Sequence, residues 1–458
     1  MSKLRLAVIA VGGLAVGIAA LCSQGLCAGG AGQPGSRALG ICATNRHYFE
    51  TAHGKPVLLV GDYTWGTFSE IDFDYEVMFR TLEANGVDFS RVWLWWGCEV
   101  LPETPERVDI GPYLRTGPGL ANDGKLKYDL TRFNPVFFDR LRRFCAAAHS
   151  RGVFVQLTLF DAWMIKHPNL WKLHAYQKDN NINGVDGDPR GTGCGTDGKQ
   201  GFCSLGNPAV LAAQQAYIAR VIDTVNDFDN VFFEVANENY YSAEWERRLC
   251  EYIHQYERSK PRQHLAMPLD VPNHDSGKIK TWDLQRLHAN LLAARALGQP
   301  LIFDNDGIGH PDDATVRRAA WTAFVSGGNT DYLDDSLQPG SEYHGDEAGT
   351  RRATLRRQLG HLARFARDTR FWEMQPDDSL VQAGRAFALA STREAVIYLP
   401  EGGAVTVDAA GFGGRAMGQW FNPRTGKASD AFAIGDAARA LAPPGAGDWV
   451  LHLTITGR

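Results

Sequence analysis

The pattern of apolar and polar positions changes character twice along the chain. Residues 6–21 form an uncharged apolar run behind Lys3 and Arg5, and small residues follow through Ala28 to Gly35. A charged start, a short apolar run and a small-residue exit are the layout of a secretory leader, somewhat short for a stable span of about 18 or more residues. The expected arrangement is a leader over 1–30 and a Gly-, Ser- and Pro-rich linker over 31–40. The product would be secreted or periplasmic, with an uncleaved membrane anchor as the alternative.

From 41 to 370, strand-like and helix-like segments alternate. Strands are expected at Pro56–Gly61, Val87–Trp96, Val153–Phe160, Val231–Ala236, His264–Leu269, Trp282–Leu287, Pro300–Phe303 and Thr330–Leu333. Amphipathic helical stretches lie between them at Tyr75–Ala84, Pro135–His149, Pro208–Val225, Ala243–Tyr256 and Ala314–Val325. Such alternation predicts a parallel sheet covered by helices, and eight strands predict a (β/α)₈ TIM barrel. Past Phe371 the pattern turns to short alternating runs, Ala386–Ala390, Ala395–Leu399, Ala404–Val407 and Trp449–Thr454, separated by Gly and Pro turns. A small all-β sandwich over 371–458 is the reading of that part. The predicted fold is α/β, a barrel followed by a sandwich, and 458 residues accommodate both.

Charge narrows the partners. The formal net charge is −5, and loss of Lys3 and Arg5 with the leader makes it two units more negative. Nucleic acid and anionic membrane surfaces are therefore not expected partners, and no span remains once the leader is removed. Six cysteines follow the leader: Cys42, Cys98, Cys145, Cys194, Cys203 and Cys250. None shows the paired spacing of a zinc site, and no DxDxDG calcium loop is present, so no metal or cofactor is expected. Cys194 and Cys203 bracket a Gly-rich loop, and export would permit a bridge between them.

Candidate chemistry concentrates at the predicted strand ends, where the loops of a barrel build its site. The run Val231-Phe-Phe-Glu-Val-Ala-Asn237-Glu238-Asn239 is apolar until it delivers Asn237 and Glu238. Glu238 reads as a general acid; the alternative is a carboxylate satisfied by amides of the helix that begins near Ser242. Arg91 lies on an otherwise apolar strand and needs either a carboxylate partner or an exposed strand end. Asp62 and Trp65 follow the first strand, Trp95 ends the second, and Asp161 and Trp163 follow the third. Aromatic faces stack on sugar C–H surfaces and carboxylates accept sugar hydroxyls, although a tryptophan taken singly is more often core than platform. His288 is a further hydroxyl partner or a satisfied interior group, and Asp334 in the acidic run Asp331–Ser336 is a polar subsite or a helix cap. The long Gly-, Asn- and Asp-rich insertion over 164–207 follows the third strand and is expected to shape a cleft.

Several stretches together carry a family resemblance. Arg46–Trp65 resembles the entry to the first strand of apiosidase-like barrels, relatives of the cellulase-like family 5 glycoside hydrolases. Gly-Val-Asp-Phe-Ser-Arg91-Val-Trp-Leu-Trp is similar to their second strand, whose arginine sits near the nucleophile, and Phe233-Glu-Val-Ala-Asn-Glu238 to the fourth, whose Glu is the acid/base. Phe371–Leu380, Tyr398-Leu-Pro and Trp420–Gly426 resemble an appended β-sandwich that often carries a collagen-binding label. The resemblance implies a carbohydrate substrate. It also implies a nucleophilic Glu five residues after Pro300, where this chain has Asn305.

Glycoside hydrolysis needs one carboxyl that donates a proton and a second that attacks or activates water. An amide at 305 cannot attack, so Asp306 is the expected partner of Glu238, brought in by a bulge or one-residue shift. Asp304 is the other candidate, with a salt bridge inside the barrel as its alternative role. The expected function is hydrolysis of O-glycosidic bonds in an oligo- or polysaccharide. A barrel that binds carbohydrate without turnover, or adhesion to a matrix protein through the sandwich, are its rivals.

Overall fold

A parallel strand covered on both faces needs apolar side chains at both parities, and the apolar runs fold accordingly. The computed structural model describes residues 39–99, 108–273, 281–304, 312–333, 352–412, 416–435 and 438–455. The leader, most of the linker, Asn305, Asp306 and Asp334 lie outside the described residues. In chain order the strands of the first part are β1 (Leu39–Ile41), β2 (Phe49–Thr51), β3 (Pro56–Val57), β4 (Phe89–Trp93), β5 (Tyr113–Leu120), β6 (Leu126–Phe133), β7 (Phe154–Asp161), β8 (Val231–Asn237), β9 (Ala266–Met267), β10 (Ile302–Asp304) and β11 (Asn329–Asp331). The helices are α1 (Tyr75–Asn85), α2 (Pro135–Ser150), α3 (Pro168–Trp171), α4 (Pro208–Val225), α5 (Ala243–Glu257), α6 (Leu284–Ala294), α7 (Asp313–Val325) and α8 (Ala353–Arg367).

Strands β4, β7, β8 and β9 form a parallel sheet, and β10 pairs in parallel with β11. Residues 60–63 join the two sets through parallel bridges, Val60 to Thr330, Gly61 to Phe89 and Tyr63 to Leu333. The array is barrel-like. Among the described residues no ladder joins β9 to β10, so closure by hydrogen bonds is not seen there.

The strand expected at Trp282–Leu287 is instead the start of α6. Asp283 accepts a hydrogen bond from the Arg286 N–H at 3.0 Å, and Leu287, His288, Leu291 and Ala294 are buried at helical spacing. A polar cap followed by an apolar period of about 3.6 outweighs the short run of apolar residues there. Side-chain caps from Asp74, Asn134, Asn207, Ser242 and Asp312 likewise start α1, α2, α4, α5 and α7. Unforeseen in the sequence, β5 and β6 form an antiparallel hairpin between β4 and α2. Within the insertion, buried Asn180 and Asn181 donate to the carbonyls of Lys172, His174, Ala175 and Val185, tying an irregular loop to itself.

The C-terminal part is two antiparallel sheets. The larger orders β12 (Gln375–Pro376), β14 (Phe387–Ala390), β15 (Glu394–Leu399), β21 (Trp449–Ile455), β17 (Ala416–Asn422) and β18 (Lys427–Ala428), with β19 (Phe432–Ala433) also on β17. The smaller orders β13 (Val381–Ala383), β16 (Val405–Val407) and β20 (Arg439–Leu441). On β15, Ala395, Ile397 and Leu399 face the core between the sheets, whereas Val396 and Tyr398 join the apolar cluster of the first part. Both parities of this strand are thus apolar because both faces are covered. Phe371 and Met374 are buried at this junction in the shared cluster, with Trp372 packed against it. Arg317 of α7 and Asp448 meet there in a buried bidentate pair, at 3.0 and 2.8 Å.

Candidate active site

Alternation along the strands sets two layers inside the barrel-like array. Phe89, Phe154 and Phe232 pack with Phe49, Val57 and Ile302 as an apolar floor, on which the N-terminal strands close. Two residues further along each strand the same face turns polar: Arg91 on β4, Gln156 on β7, Glu234 on β8 and Asp304 on β10. Arg91 is almost wholly buried and donates to Glu234 from Nε and Nη2 at 2.9 and 2.8 Å, to Asp304 at 2.6 Å, and to Asn237 at 2.9 Å. Gln156 and the Thr158 hydroxyl also donate to Glu234. A buried guanidinium is tolerated because its donors are matched by two carboxylates and an amide oxygen.

Glu234 escaped the sequence reading. The signal was its parity: it stands in an apolar strand on the face that Arg91 presents from two strands away.

Asp304 is fully buried, and its second oxygen accepts the Tyr63 hydroxyl at 2.6 Å. Beside it, burial holds the Asp331 carboxyl well above the usual range, the charges of Asp304 and Asp62 push the same way, and Arg91 opposes them. The proton is thus favoured on Asp331, and Asp304 takes the guanidinium. Room for Asp331 comes from Gly61, where a Cβ would collide with Asp331 Oδ1 and lie 2.7 Å from the Phe89 ring.

Above this layer the ladder between β7 and β8 pairs Thr158 with Glu234, then Phe160 with Ala236 and Asp161 with Asn237. Asn237 connects the layers, accepting from Arg91 and donating to Asp161 at 2.8 Å. Burial pushes the Asp161 carboxyl up to about 6; hydrogen bonds from Asn237, Met164 and Trp163 pull it down, and the charge of Glu238 pushes it up. Glu238 follows directly at the end of β8 with φ 47°, a left-handed backbone that a side chain with a Cβ rarely adopts. Its side chain is 19% exposed and pairs with Lys166 Nζ at 3.3 Å. Lys166 and His167 come from the start of the insertion, where the rings of Trp163 and His167 pack at a tilt with centres 4.4 Å apart.

An aromatic cluster adjoins the polar layer. Trp93 lies under the Arg91 guanidinium at 4.4 Å and packs against Trp65 and Trp96 at 4.7 and 5.9 Å. The indole N–H groups of Trp93 and Trp96 are buried without a hydrogen-bond partner among the described residues.

Arg91, Asn237, Glu238, Asp161, Asp304, Trp65 and Trp163 are thus brought to one end of the array. Three expected binding residues are not. Asp62 has the parity opposite to Gly61 and Tyr63, and pairs with Arg356 of α8 instead of facing the centre. Trp95 lies past the end of β4, buried among Tyr113, Phe160, His174 and Tyr217, and Trp96 takes the place expected for it. His288 is on α6, bonded to Ser326 and Asp378 at 2.8 Å each and stacked on Phe387, toward the C-terminal sheets. The expected bridge is also corrected: Cys194 and Cys203 are free thiols, the former directed to the Lys166 carbonyl and the latter buried. No group of metal-ligating side chains was found among the described residues.

A family model described as a domain of unknown function (DUF6298) matches residues 109–271. A second, described as "Putative collagen-binding domain of a collagenase", matches 375–454. A search of curated proteins finds no match. Among solved structures, one titled "Glycoside hydrolase" is 14% identical with TM-score 0.62, over 92% of this chain and 97% of its own. A glycoside hydrolase family 5 structure from Bacteroides vulgatus is also 14% identical with TM-score 0.62, over 92% and 94%. A second Bacteroides vulgatus structure, titled a "putative glycoside hydrolase", is 12% identical with TM-score 0.64, over 93% and 84%. At these identities the likeness is one of fold: a TIM-barrel-like array followed by a C-terminal sheet domain.

Proposed function

We propose that this chain is an exported glycoside hydrolase that cleaves O-glycosidic bonds with two carboxyl groups, its barrel over 41–370 and its sandwich over 371–458. The observation that carries the reading is the placement of Glu238. It sits on a left-handed backbone at the end of β8, next to the Asn237 that Arg91 ties to Asp304. Strained backbone concentrates at functional sites, and a half-open carboxyl beside a buried charge layer suits proton delivery to a leaving oxygen. Both Asp304 oxygens already accept short hydrogen bonds, so Asp304 is best suited to fixing Arg91. Asp306, two residues on, is the proposed attacking or water-activating group. The solved structures of the same fold titled as glycoside hydrolases support the reaction class.

The test is a glycan-panel screen of the mature protein with Glu238→Gln as control. Turnover lost in the variant supports the reading. Saturable sugar binding with no turnover in either protein would make the chain a carbohydrate-binding barrel.

A further inference from the structure

Glu238 has Lys166 as an ion-pair partner, and Lys166 has no other ion pair among the described residues. The lysine is held at this place: the Ile165 and Lys166 carbonyls accept from the Gly195 N–H at 3.0 Å and the Cys194 thiol at 3.4 Å, and Trp163 lies under its ammonium at 5.6 Å. An ammonium pairs with a carboxylate and not with a neutral carboxyl. When Glu238 carries the proton it is to deliver, Lys166 is left with a half-buried charge and no counter-ion. Burial and the charge of Lys166 lower the pKa of the neighbouring His167, whose Nε2 is closed off from solvent. The remaining titratable neighbours, Asp161 and Tyr241, bring no second cation. A partly exposed ammonium left without its counter-ion while Glu238 holds its proton is complementary to a negative substituent.

We infer that Lys166 forms a subsite for an anionic sugar, a uronate carboxylate or a sulfate ester, on the unit next to the bond that Glu238 protonates. The inference rests on the reading of Glu238 as proton donor. A neutral glycan leaves Lys166 without an anion while Glu238 is protonated, whereas an anionic unit supplies one. Glu238→Gln mimics the protonated acid and frees Lys166 permanently, so it separates binding from turnover.

The experiment measures binding to Glu238→Gln by calorimetry, using uronate-containing oligosaccharides and their methyl esters, and sulfated oligosaccharides and their desulfated forms. The expected result is roughly five- to tenfold tighter binding of one charged form than of its neutral counterpart, the range of a partly exposed ion pair. That preference should vanish in Glu238→Gln/Lys166→Met and return in Glu238→Gln/Lys166→Arg. The series that shows it, uronate or sulfate, identifies the anion. Equal binding of charged and neutral forms, no binding of any form, or a preference that survives Lys166→Met overturns the inference. A Lys166-dependent preference in a wild-type protein that hydrolyses neither form would leave the subsite standing and remove the hydrolase reading.

Discussion

Arg91 and Glu234 stand on strands β4 and β8, with β7 between them, and meet face to face through two hydrogen bonds of 2.9 and 2.8 Å in a fully buried layer. Neither charge has water to fall back on. Glu234→Gln keeps the shape but leaves the guanidinium short of a counter-charge, and breaking a buried pair costs about 3–5 kcal/mol. Urea unfolding should show that loss, and a change below about 1 kcal/mol would mean the layer is not held by this pair.

The proton donor makes a separate prediction. Glu238→Gln should depress hydrolysis of substrates with poor leaving groups by about 10²–10⁴-fold and affect activated aryl glycosides less, since these depart without full protonation. Equal turnover of variant and wild type on a natural glycan would remove Glu238 from the mechanism.

The second carboxyl decides stereochemistry. Retention accompanies a separation of roughly 5–5.5 Å from Glu238, and inversion about 6.5–9.5 Å. Aspartate is a methylene shorter than glutamate, so retention by Asp306 would require its backbone to stand closer to Glu238; retention is the expected outcome and inversion the alternative. NMR of the first-formed anomer tests this, and Asp306→Asn should abolish turnover. If Asp306→Asn is fully active while Asp304→Asn is not, the attacking group is Asp304.

Asp161 predicts a pH dependence. Its carboxyl rises from 3.8 to about 6 in the folded protein, so the folded state holds the proton more tightly than the unfolded chain. The stability it contributes is fully present below pH 3.8 and lost as pH rises through about 6, at roughly 1.4 kcal/mol per pH unit within that window. Asp331 acts in the same direction. Stability measured between about pH 4 and 7 should therefore fall less steeply in Asp161→Asn than in wild type, and an unchanged slope would contradict the assignment.

Legibility followed burial. Parallel strands were readable because burial on both faces leaves continuous apolar runs, and the helices α1, α2, α4, α5 and α7 because caps and apolar period coincide. The run at Trp282–Leu287 misled because a short apolar stretch fits both periods until Leu291 and Ala294 are counted. In the site, the Asn237–Glu238 end of β8 was readable as the point where an apolar strand turns polar. Two of the errors were of one residue. Tyr63 and not Asp62 faces the centre, and Trp96 and not Trp95 joins Trp93, because parity at a strand end depends on where the strand stops. Glu234 was hidden by its own burial: its role appears only when Arg91 is known to face it. Cys194 and Cys203 are near in sequence, but side-chain direction, which spacing does not set, leaves them as thiols.

The Arg317–Asp448 pair and the apolar cluster that runs from α7 and α8 into β15 make the junction with the C-terminal sheets a weld. A tethered module lets an enzyme sweep a neighbourhood whose radius is set by linker length. Here there is no such radius. If the C-terminal sheets bind a glycan, they would offer it to the barrel at one bearing, and only bonds lying at that fixed offset along it would come within reach of Glu238.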